Sequence, residues 1–62
     1  MIKEALIKKL EGEIAVAKAD LKTFLNNPHG VADHIEFVAS VEKKIGTISS
    51  ASGKLQILIN LE

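Results

Sequence analysis

Apolar residues return along the first third of the chain at Ile7, Leu10, Ile14, Ala17, Leu21 and Phe24, alternating steps of three and four. That period belongs to one face of an α-helix, and it predicts a helix over about residues 2–26. Leu6 and Leu25 widen the stripe, while Lys3, Lys8, Glu11, Lys18 and Lys22 take mostly the other faces. Few pairs are ideally spaced for ion pairing, Glu4 and Lys8 being one. Gly12 is the odd residue, since glycine in a helix interior costs roughly 1 kcal/mol relative to alanine. Asn26-Asn27-Pro28 stops the helix. Asparagine tolerates a left-handed C-cap, and proline disfavours helical geometry in the residue before it.

The turn spans 27–33, with Pro28 and Gly30 as punctuation. Asp33-His34-Ile35-Glu36 fits a capping box that starts a second helix, reaching to about residue 61. Its stripe reads Val38, Val41, Ile45, Ile48, Ser52, Leu55 and Ile59, again by threes and fours. Residues 46–61 have a competing reading. Gly46 to Gly53 is poor in strong helix formers, and Leu55, Ile57, Ile59 and Leu61 alternate as in a strand, so a β-hairpin turning at Ala51-Ser52-Gly53 is the alternative. Against it stand the unbroken three-four register and the marginal stability of an isolated two-stranded hairpin.

A short connection between helices of roughly 37 and 42 Å makes them antiparallel neighbours. Laid together, Phe24 meets Val38, Leu21 meets Val41, Ala17 meets Ile45, Ile14 meets Ile48, Leu10 meets Ser52 and Ile7 meets Leu55. Gly12, Ser49, Ser50, Ala51, Ser52 and Gly53 gather at one level, which implies either a close approach of the helices or of a partner, or a weak, kinked helix. Outside this seam remain Ile2, Leu6, Val16, Leu25, Ile35, Phe37, Ile57, Leu58 and Leu61. A two-helix sheet with one open face falls short of the ordering entropy of about 1.5 kcal/mol per residue at about 25 cal/mol per Å² buried. The expected fold is therefore all-α: an antiparallel two-helix hairpin, one domain over residues 1–62, that dimerises into a four-helix bundle. Leu6, Leu25, Phe37, Ile57, Leu58 and Leu61 are the expected dimer or partner interface.

Composition narrows the ways in which so small a core can be completed. The 62 residues are 47% hydrophobic, too apolar for a disordered chain. There is no cysteine, so neither disulfides nor thiolate zinc sites are available, and oligomerisation is the remaining route. Eight lysines balance eight acidic residues, and no arginine is present. Arginine is the usual bidentate reader of phosphate and guanine, so a general nucleic-acid binder is disfavoured. No apolar run is long enough for a membrane span, and Met1-Ile2-Lys3-Glu4-Ala5 does not open a signal peptide, so a cytoplasmic protein is expected.

Two resemblances attach to these residues. In length and heptads the hairpin looks like the Rop-type RNA-binding dimer, without a matching motif. Leu25-Asn26-Asn27-Pro28 followed by Gly30 and His34 resembles a turn in small uncharacterised proteins of marine tailed phages, which similarly carry an Ala/Lys-rich first helix and a Lys-Leu heptad at the end of the second. Where that turn has an acidic residue before the histidine and a proline after it, this chain has Asp33 and then Ile35. The likeness implies a helical second half, a phage or marine microbial origin and a host-cytoplasmic location, and no activity.

His29, Asp33 and His34 are the only residues with metal-ligand chemistry near one another, at irregular spacing, and capping with solvent exposure explains them better. His34 near a helix start also suits a pH-sensitive N-terminus. Ser49, Ser50 and Ser52 have no base at an activating spacing, and Gly12, Gly30, Gly46 and Gly53 are too dispersed for a phosphate loop. No enzyme activity, cofactor or metal is expected. Lys18, Lys22, Lys43 and Lys44 would form a modest basic strip on an antiparallel hairpin. Two functions follow: a structural or protein-interaction module working as a homo-oligomeric bundle, or a Rop-like nucleic-acid-binding dimer using that strip.

Overall fold

The apolar period of each half of the chain closes into one long helix. The structure, a computed structural model, describes residues 1–26 and 34–61, and for residues 34–36 the backbone alone. Helix α1 spans Ile2–Leu25 and helix α2 spans His34–Asn60, and the two pack against each other as a hairpin. There is no strand among the described residues, so the segment from Gly46 to Asn60 is helical throughout. Three-four spacing of its large residues outweighs the weak helix propensity of Gly46 to Gly53, because tertiary burial supplies most of a helix's stability.

The ends of α1 are held locally. The terminal ammonium of Met1 lies 2.6 Å from Glu4 Oε1, and the Met1 carbonyl accepts the Ala5 N–H at 3.0 Å. That ammonium, then the residue's own backbone N–H, holds the exposed Glu4 carboxyl below its ordinary pKa. At the other end, Asn26 caps the helix at φ −98°, ψ 7°, and its N–H donates to the Lys22 carbonyl at 3.0 Å. The left-handed cap expected of asparagine is not used at Asn26. Lys22 in the last turn complements the helix dipole. Thr23 and Thr47 return their hydroxyl protons to the carbonyls of Ala19 and Lys43, four residues back, so neither presents a free donor.

The seam differs from the expected one by a step on α2. Leu10, Ala17 and Ala51 are its buried centre. Two rows of α1 flank it at intervals of seven, Leu10-Ala17-Phe24 and the half-buried Ile7-Ile14-Leu21. On α2 the rows are Phe37-Lys44-Ala51-Leu58 and Val41-Ile48-Leu55. Val38, Ile45 and Ile59, expected in the seam, are 53%, 52% and 57% exposed. Three local interactions set this choice. Phe24 meets Phe37 instead of Val38, edge to face with centroids 5.7 Å apart. Ala51 enters the closest approach in place of Ser52, whose hydroxyl would lose its water there. Lys44 lays its stem across the seam and pairs with Asp20 at 3.1 Å.

Candidate association surface

The hairpin leaves its core unfinished. Among the described residues no side chain is more than 98% buried, and three are buried: Leu10, Ala17 and Ala51. The radius of gyration is 14.4 Å, against about 10.6 Å for a compact chain of this length. Its accessible surface is 4960 Å², where a compact protein of its mass exposes about 3,900 Å².

The excess surface lies on two unlike flanks. On one side of the seam, α2 carries a row spaced by seven, Val38-Ile45-Ser52-Ile59, exposed along its length. It adjoins the half-buried Val41-Ile48-Leu55 row and, across the seam, Ile7-Ile14-Leu21 of α1. This flank is aliphatic. On the other side an open groove is lined by Gly12 and Val16 of α1 with Gly46, Thr47 and Ser50 of α2, and carries Glu13, Lys43 and Lys54. A Cβ added at Gly12, Gly46 or Gly53 would meet nothing within 4 Å. Within the small-residue cluster the glycines therefore do not line the contact between the helices, whereas Ala51 is buried in it. Ala17 is buried in it too, and α2 continues through Gly53 as helix.

The expected interface residues divide between surface and seam. Leu6, Leu25, Ile57 and Leu61 are exposed, at 38%, 64%, 64% and 57%. Phe37 and Leu58 are half-buried in a seam row of the hairpin itself. Spacing alone assigns the apolar row of Val38, Ile45 and Ile59 to the seam. The available signal was that α2 carries three adjacent rows of apolar or small residues where one seam needs two.

The lysines do not make one strip. Lys44 is tied to Asp20, Lys43 lines the groove, and helical spacing puts Lys18 and Lys22 on the flank of α1 away from Gly12 and Val16. The other side-chain ion pairs among the described residues are local to α1, Lys9 with Glu13 at 3.0 Å and Lys8 with Glu11 at 3.9 Å. His29 and Asp33 lie outside the described residues, as does the His34 side chain, so the metal-like cluster, the capping box and the pH-sensitive helix start fall there too. Among the described residues no group of three His, Cys, Asp or Glu is placed to hold a metal ion. None of their helices is long and apolar enough to cross a membrane.

No protein-family model matches the chain, and no curated protein or solved structure matches it significantly. Nothing found bears on the phage-like turn, most of whose residues lie outside the described ones.

Proposed function

We propose that the chain is a non-catalytic structural or protein-interaction module that works as a homo-oligomeric helical bundle. The observation that carries this reading is the unfinished core: among the described residues one leucine and two alanines are buried, beside a long, uncovered aliphatic flank. An exposed apolar face of this extent marks an association surface. The zero net charge leaves copies free of mutual repulsion. The proposed place of action is the cytoplasm, in keeping with a cysteine-free chain. The nucleic-acid alternative loses its support with the dispersed lysines.

Thermal unfolding across a range of protein concentrations tests the proposal. A homo-oligomer is stabilised by mass action, so its midpoint rises with concentration. A midpoint independent of concentration overturns the bundle. Passage over heparin at low salt tests the charge side: no retention is expected, and strong salt-sensitive retention would restore the nucleic-acid reading.

A further inference from the structure

The aliphatic flank has a symmetry that names its occupant. Along its border on α1 runs the row Glu4-Glu11-Lys18-Leu25, spaced by seven, acidic toward the N-terminus and basic beyond the middle. Turned antiparallel against itself about the midpoint between Ile14 and Ala15, this row sets Glu11 opposite Lys18 of a second copy, twice over. No like charges meet in that register, because Lys8 falls opposite Leu21 and Lys22 opposite Ile7. On α2, the same turn about the midpoint between Ile48 and Ser49 sets Val38 opposite Ile59 and Ile45 opposite Ser52.

The two midpoints share one level of the hairpin. Ile14 lies six residues before Asp20, and Ile48 lies four after Lys44, Asp20's ion-pair partner. Ile14 also lies ten residues before Phe24, and Ile48 eleven after Phe37, which stacks on it. A single twofold axis therefore serves both helices. Ser49 and Ser52 stand beside it, small enough for the two α2 helices to approach closely.

We infer that a second copy of this chain covers the aliphatic flank about that axis, α1 against α1 and α2 against α2, with Glu11 and Lys18 paired across the interface. The inference rests on the homo-oligomer proposed above and specifies its face. The other twofold arrangement puts α1 against α2 of the copy. That sets Glu11 and Lys18 against Ser52 and Ile45, so both lose the charged partner that the first arrangement gives them, while Glu4 faces an aliphatic residue in either, Leu25 in the first and Ile59 in the second. Area agrees with pairing. Two separate hairpins expose twice 4960 Å², while one compact body of their joint mass exposes about 6,500 Å². Closing that gap buries about 3,400 Å², inside the roughly 2,000–5,000 Å² of obligate homodimers.

Charge exchange tests the register. Glu11→Lys leaves lysines at both positions, and Lys18→Glu leaves carboxylates at both, so each variant repels itself across the axis. Each is expected to dimerise about ten-fold more weakly than the unmodified chain in sedimentation velocity. Mixed in equal amounts, the two recover a heterodimer of unmodified affinity, which loss of the local Lys8–Glu11 contact cannot produce. Circular dichroism on each variant verifies that the helices are intact. Variants that dimerise normally, or a mixture as weak as its components, overturn this face while a dimeric unmodified chain keeps the bundle. A monomeric unmodified chain overturns both.

Discussion

Lys44 reaches from the middle of α2 to place its ammonium 3.1 Å from the Asp20 carboxylate of α1, so a charged side chain occupies a row whose other members are Phe37, Ala51 and Leu58. Both side chains keep solvent contact, at 34% and 45% exposure, which makes the pair one of modest strength. Asp20→Asn is expected to cost about 0.5 kcal/mol in chemical denaturation. Lys44→Leu, which supplies an aliphatic group to the seam without a charge, is expected to be neutral or stabilising. A loss of several kcal/mol for Asp20→Asn would mean that the pair orders the hairpin far beyond its direct attraction.

The seam is narrow where Ala17 and Ala51 meet it, each 3% exposed. Leucine at either position forces the helices apart, and a loss of about 1–3 kcal/mol is expected from thermal unfolding. Leu10→Ala removes the largest buried side chain among the described residues and is expected to cost about 2–5 kcal/mol, a large share of any small domain's stability. A neutral result at Ala51 would place the helix contact elsewhere.

Gly12 and Gly46 face open space in the groove. Alanine at each is expected to stabilise by roughly 0.5–1 kcal/mol, through lower unfolded-state entropy and higher helix propensity. The substitutions leave self-association unchanged, because the proposed interface is the opposite flank. A fall in association affinity on Gly46→Ala, read by sedimentation, would show that a copy occupies the groove.

Ile45 is 52% exposed, so a charge there barely disturbs the hairpin. Ile45→Lys is expected to keep the helical circular dichroism of the assembled chain at high concentration while weakening association more than ten-fold. Unchanged association would remove α2 from the interface.

Glu4 supplies a pH signature. Its carboxyl is held low by the terminal ammonium, so its support for the first turn is complete above the unfolded carboxylate pKa of about 4.3. That support is lost as pH falls through the lower folded value. A small loss of helicity on acidification is expected, and Glu4→Gln should remove that step. An unaltered acid step in Glu4→Gln would assign it to other carboxylates.

Much of this fold was legible because long three-four periods are strong signals. The seam of α1 and the continuity of α2 follow from that spacing, and the end of α1 near Asn26 follows from the Asn-Asn-Pro stop. The seam of α2 was less legible. Two series share Val41, Ile48 and Leu55: one adds Val38, Ile45 and Ile59, the other Phe37, Lys44, Ala51 and Leu58. Spacing favours the first, which holds more large aliphatic residues. The hairpin uses the second, because an aromatic pair, a small residue and a lysine stem with an acidic partner fit the narrow gap. A helix with three such rows has more apolar surface than one neighbour can cover, and periodicity alone does not tell which rows face that neighbour. The glycines misled for a related reason: a missing side chain reads the same whether it faces a sister helix or water.

Sedimentation equilibrium of the full chain at micromolar concentration tests the central claim most directly. The expected result is a single species of twice the 6.7 kDa chain mass, with no larger assembly at rising concentration. A species of 6.7 kDa with intact helical circular dichroism would contradict it, because the hairpin would then be stable with its aliphatic flank in water.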